Sequence, residues 1–121
     1  MLTSKKVTSE TFNSGIINVL DASDGVITNT RIENIHYGER TFGIKRFFDA
    51  QVAGSTVEKL ISVPLNDFIK RVDIIEMKDF RTGQTALYEI VMLQHKYDTA
   101  PASTYLTLKK TEINYVDQRN H

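Results

Sequence analysis

Apolar and polar residues alternate along much of this chain with a period of two, the spacing of a half-buried strand rather than of a helix face. The longest alternation runs from Phe42 to Val52, with Phe42, Ile44, Phe48, Ala50 and Val52 at even positions, interrupted by Arg46, and mostly polar residues between them. It predicts an extended element, with a short helix over Lys45 to Gln51 as the alternative. Further strands are predicted at Gly15 to Leu20, Val26 to Tyr37, Val57 to Val63, Val72 to Lys78, Thr85 to His95 and Thr104 to Ile113. All are rich in Val, Ile, Thr, Tyr or Phe, which suit a pleated surface. The Thr85 to His95 stretch is expected at the centre of the core, because Tyr88, Ile90 and Met92 alternate with Leu87, Val91 and Leu93 and so make both faces apolar.

The breaks between these runs carry turn chemistry. Asp24-Gly25 is a hairpin dipeptide, since glycine takes the positive φ that a two-residue turn requires. Arg81-Thr82-Gly83-Gln84 predicts a second hairpin, and Ala53 to Thr56 and Thr99 to Ser103 are loops by composition. Asn66 to Arg71, after Pro64, has room for one helical turn. Short strands at near-regular spacing point to a mainly β fold, a small β-barrel or sandwich with one long inserted loop and at most a short helical turn.

At 121 residues the chain fits one domain spanning 1–121, and no repeat or linker divides it. The core of such a domain is modest, and an oligomeric interface would add to it. The 15 Lys and Arg balance the 15 Asp and Glu, which removes the basic excess of most nucleic-acid binders. The absence of cysteine excludes a disulfide scaffold, a Cys-ligated zinc and a thiol nucleophile together. No apolar stretch follows the polar opening to form a signal peptide, and Ile90 to Leu93 is too short to cross a bilayer, so no membrane association is expected.

Catalytic constellations are not legible. His36, His95 and His121 lack the spacing that puts two imidazoles on one metal, and Asp21 and Asp24 flank a turn, where capping is the common role. No phosphate loop or nucleophile elbow is present, so neither an enzyme nor a cofactor is expected. The unusual feature is the run holding Arg40, Phe42, Lys45, Arg46, Phe47, Phe48 and Gln51, basic groups interleaved with aromatics. Such a run can track a phosphate backbone and stack on bases, or it can be a solvated face whose phenylalanines serve a core or an interface. Phe47 and Phe48 point to opposite sides of an extended segment, and an oligomer can bury both where a monomer exposes one. A connection as long as Tyr37 to Val57 in a compact domain is usually functional or disordered, and these aromatics argue for ordering on contact with neighbours.

Phe47-Phe48-Asp49-Ala50-Gln51, followed by Ile61-Ser62-Val63-Pro64 and the apolar Ile69 to Ile75 region, resembles the head-completion proteins of tailed bacteriophages. These are the stopper or head-closure proteins of the head–tail connector. Tyr88-Glu89-Ile90-Val91 and Leu106-Thr107-Leu108-Lys109 match the family's later strands, and the similarity covers roughly Ile35 to Glu112. The resemblance implies a virion protein of the neck, assembled in the host cytoplasm. It implies a small β-barrel that forms a homo-oligomeric ring, a dodecamer in the family, between portal and adaptor proteins above and tail-terminator or tail proteins below. It also implies that the ring closes the DNA channel and gives the tail a docking surface, with a loop, here about Gly38 to Thr56, that projects into the channel as a plug against the packaged DNA end. A tail-terminator or other neck ring protein is the neighbouring reading, and a single-stranded nucleic-acid-binding barrel is the reading from a different class.

Overall fold

The computed structural model describes residues 8–40, 59–111 and 113–119. Within them the chain is mainly β, with no helix. Its strands are β1 (Thr8–Ser9), β2 (Gly15–Ser23), β3 (Val26–Arg40), β4 (Lys59–Pro64), β5 (Ile74–Asp79), β6 (Thr85–Lys96), β7 (Thr99–Ala100), β8 (Ser103–Lys110) and β9 (Val116–Asp117). Every strand expected within these residues is present, with its ends moved by a few positions. The long Phe42 to Val52 alternation lies outside the described residues.

Six strands pair antiparallel in the order β2-β5-β6-β8-β4-β3, and β3 returns to β2, so the sheet closes into a ring. Closure depends on the curvature of β3. Tyr37 pairs with Gly15 and Val26 with Ser23, so twelve residues of β3 face nine of β2, and the register shifts at three places. Each extra residue bends the strand and adds twist. At one shift Asn34 takes a φ of 57°, and the Asn18 side chain spans the irregularity by accepting the Asn34 N–H at 2.9 Å. Bent in this way, β3 stays bonded to β2 and still reaches β4 through Gly38, Glu39 and Arg40.

The core inside the ring holds Ile17, Val19, Tyr37, Ile61, Val63, Ile75, Leu106 and Leu108, all at most 1% exposed. The strand most enclosed is β8, where Ser103 to Leu108 are buried on both faces. That position was expected of β6, and the difference has a physical reason. Ile90 pairs with Leu108 and Met92 with Thr107, leaving Val91 as a bulge, so the inward phase switches and Ile90 and Leu93 both pack on the core. The two apolar faces of β6 are served differently: Tyr88, Ile90 and Leu93 pack on the inner core, the last across the bulge, while Leu87 packs outside the ring on Leu20, Ile27 and Ile74. Gly15 sits where the wall is tightest, since a Cβ there would fall 2.1 Å from the Lys78 carbonyl oxygen and 2.6 Å from the Tyr37 ring.

Asp24 and Gly25, with φ of 53° and 78°, form the predicted two-residue hairpin between β2 and β3. The connection 65–73 contains turns and no helix, and it caps one end of the ring. Ile69 fills that end at 3% exposure, while the Asp73 carboxylate accepts from the Lys70 N–H at 2.7 Å and pairs with Arg31. Outside the ring, residues before β2 lie against β4 and β8, and those after β8 cross β3, β2 and β5. There Leu20, Ile27 and Ile74 form a second small cluster, with Tyr115 packed on it.

Candidate functional site

The end of the ring opposite the cap is built from the roots of one long connection. β3 ends at Arg40 and β4 begins at Lys59, and the two strands are register neighbours through Arg40 and Leu60. The connection 41–58 therefore leaves and re-enters at adjacent points of one rim. Gly38, Glu39 and Arg40, expected at the start of the loop, belong to the ring wall.

Both roots are fixed by charge. Lys59 Nζ donates to Glu39 Oε1 at 2.9 Å, and Arg81 on the β5–β6 hairpin approaches Glu39 at 3.9 Å and Asp79 at 3.5 Å. Burial alone would lower the Lys59 pKa, but the hydrogen bond and charge of Glu39 outweigh it and the pKa is raised. The Asp79 carboxyl is held below its usual range, first by the Arg81 backbone N–H. Beneath this rim the Tyr37 hydroxyl is pushed up to about 12, mainly by burial and then by the charges of Asp79 and Glu39.

Arg40 faces outward, into a buried network. Its Nε donates to Glu10 Oε2 at 2.6 Å and its Nη2 lies 2.5 Å from the same oxygen, with the Glu10 side chain only 1% exposed. Nη2 also donates to the Thr11 carbonyl at 2.7 Å, and Nη1 donates to the Glu39 carbonyl at 2.9 Å. The Tyr105 hydroxyl donates to Glu10 Oε1, and Ser62 Oγ lies 3.4 Å from Oε2. Burial, followed by that contact with Glu10, raises the Tyr105 pKa. Gly38 makes room for the crossing, since a Cβ there would lie 2.1 Å from the Thr11 carbonyl oxygen. Of the residues singled out in the sequence, Arg40 thus has its guanidinium committed to the protein. Phe42, Lys45, Arg46, Phe47, Phe48 and Gln51 lie outside the described residues.

The remaining candidates within the described residues have structural partners, and His121 lies outside those residues. His36 meets Phe80 edge-on at a centroid distance of 6.2 Å, and His95 Nδ1 lies 2.9 Å from Thr104 Oγ1. Asp21 binds Arg31 at 2.5 Å, and Asp24 forms the hairpin turn. Arg31 also pairs with Asp73 and donates to the Phe68 carbonyl at 2.8 Å, and its pKa is raised chiefly by the Asp73 hydrogen bond. No group of three His, Asp or Glu side chains among the described residues is placed to hold a metal ion. Among the same residues, no helix is long and apolar enough to cross a membrane.

Sequence reading missed Glu10 and Arg119. Arg119 donates to Glu76 at 3.1 and 2.8 Å, to Asp117 at 2.7 Å and to Thr30 at 3.1 Å, tying three strands together. Glu10 and Tyr105 are 95 positions apart, and neither stands in a local motif that marks it. No protein-family model, curated protein or solved structure matches the chain.

Proposed function

We propose that this chain is a head-completion protein of a tailed-phage neck, its strand ring a small β-barrel that assembles with further copies into a larger ring around the DNA channel. The observation that carries this reading is the placement of the connection 41–58. Eighteen residues leave and return at one rim of a closed sheet, between roots held by the Arg40–Glu10 and Lys59–Glu39 ion pairs. A firm frame that presents a long segment at one end suits a part that obstructs a channel. A segment of that length doubling back can extend at most ~30 Å. The segment carries Lys45-Arg46 and Phe47-Phe48, which suits phosphate contacts with a DNA end and burial against neighbouring copies. The part performs no chemistry, and its partners are portal or adaptor proteins on one side and tail proteins on the other.

The test is deletion of residues 51–56 in a phage that encodes the chain. The expected outcome is heads that package DNA and then lose it, scored by nuclease-accessible DNA after packaging. Normal retention refutes the plug. A purified chain that stays monomeric both alone and with the adaptor complex refutes ring assembly.

A further inference from the structure

A groove of about 630 Å³ lies on the outer wall of the ring, formed by β2, β3, β5 and the segment after β9. Its volume falls within the ordinary range for ligand sites. Its chemistry comes from the Asn29 and Asn34 amides, the Thr30 hydroxyl, the Glu33 and Glu76 carboxylates and the Arg119 guanidinium. Carboxylate charge is in excess, because Arg119 is already shared between Glu76 and Asp117 while Glu33 is exposed and forms no ion pair among the described residues. Among the described residues, the same stretch of β3 has an open edge. On the side away from β2, β9 pairs with Val26 and Ile27 and β4 pairs from Gly38 onward. Among the described residues, 28–36 have no strand on that side, and the connection 65–73 is hydrogen-bonded to them only through the Arg31 side chain.

The chain itself displays the kind of occupant that fits. β9 runs parallel to β3 in extended form, the Gln118 N–H donates to the Ile27 carbonyl at 2.9 Å, and Arg119 then places its guanidinium between Glu76 and Asp117. An extended backbone with a cation on its polar face is thus already accepted at the start of this edge.

We propose that the β3 edge at residues 28–36, with the groove beside it, docks an extended basic segment of a partner protein. Main-chain bonds to the edge supply the alignment, and a Lys or Arg side chain meets Glu33. The register shifts in β3 interrupt a regular ladder, so main-chain bonds alone hold an added strand weakly here, and the Glu33 charge selects a basic one. This proposal stands apart from the neck reading, since it rests on β3 and the groove beside it and uses no residue of the connection 41–58.

The test uses the whole chain with fluorescein-labelled octapeptides of alternating Thr and Lys, or of alternating Thr and Glu, read by anisotropy and by amide chemical shifts. The expected result is binding of the Thr-Lys peptide with shifts concentrated at residues 28–36. Glu33→Lys should weaken it by about tenfold or more, and Glu33→Gln by less. Asp98→Lys, on the β6–β7 turn, should leave it unchanged. A Thr-Lys peptide N-methylated at alternate residues keeps its charge and loses its donors, and should also bind about tenfold more weakly. Equal binding of the Thr-Glu peptide overturns the proposal. So do full-strength binding of the N-methylated peptide, insensitivity to Glu33→Lys, shifts located elsewhere, and a single-stranded oligonucleotide that moves the same amides.

Discussion

The buried Glu10–Arg40 pair gives the sharpest test of how the ring is held. Glu10→Gln keeps the shape of the side chain and removes its charge. Two Arg40 nitrogens, at 2.6 and 2.5 Å, and the Tyr105 hydroxyl would then face a neutral amide in a site where the native side chain is 1% exposed. Hydrogen bonds to charged groups contribute about 1.5–3 kcal/mol each, and breaking one half of a buried pair costs about 3–5 kcal/mol, because the other charge stays buried. Arg40 keeps its bonds to the Thr11 and Glu39 carbonyls, which places the expected loss near the lower figure, about 3 kcal/mol. Out of a total stability of roughly 5–15 kcal/mol, that is a large share. The assay is urea unfolding of the single variants, Arg40→Met, and the double variant. The double variant should recover about 1–3 kcal/mol relative to the sum of the singles, since no charge is then left without its partner. A loss below about 1 kcal/mol for Glu10→Gln, or strict additivity in the cycle, would refute the claim that this contact holds the segment before β2 against the loop root.

Two pH dependences follow from the same structure. The Tyr37 pKa is raised from 10.0 to about 12, so its contribution is fully present below pH 10 and is lost as pH rises through 12, an effect of about 2–3 kcal/mol. Alkaline unfolding of Tyr37→Phe should therefore show a shallower stability slope over that window, and an unchanged slope would place the titration elsewhere. Glu76 is lowered from 4.5, chiefly by the Arg119 hydrogen bonds, so its contribution is present above pH 4.5 and is lost as pH falls through the folded value. Glu76→Gln should reduce the acid dependence of stability measured by urea titrations below pH 5, and an identical acid limb would contradict the role given to Arg119.

Strands, hairpins and their order were legible because period-two alternation and turn residues are local signals. Asp24-Gly25 adopts the two positive φ values that its composition demands, and β6 begins at Thr85 as its pattern requires. Burial of β8 on both faces was not legible, since Ser103, Tyr105 and Thr107 look like an outward polar row until Glu10 and Arg40 are seen to lie near them. The acidic groove shares that property. Asn18, Glu33, Glu76 and Arg119 stand far apart in the chain and meet only because β2, β3 and β5 are neighbours and the last segment crosses them.

By itself, then, the sequence determined which segments become strands and where the chain reverses, because those choices rest on contacts between residues a few positions apart. It also determined that a long aromatic and basic connection separates β3 from β4. Only the tertiary structure decided that the strands close on themselves, that β8 is the most enclosed of them, and that Arg40 anchors the wall. Closure depends on where β3 bulges, and the anchoring ion pair joins residues 30 positions apart, so both appear only once the sheet has curved back on itself.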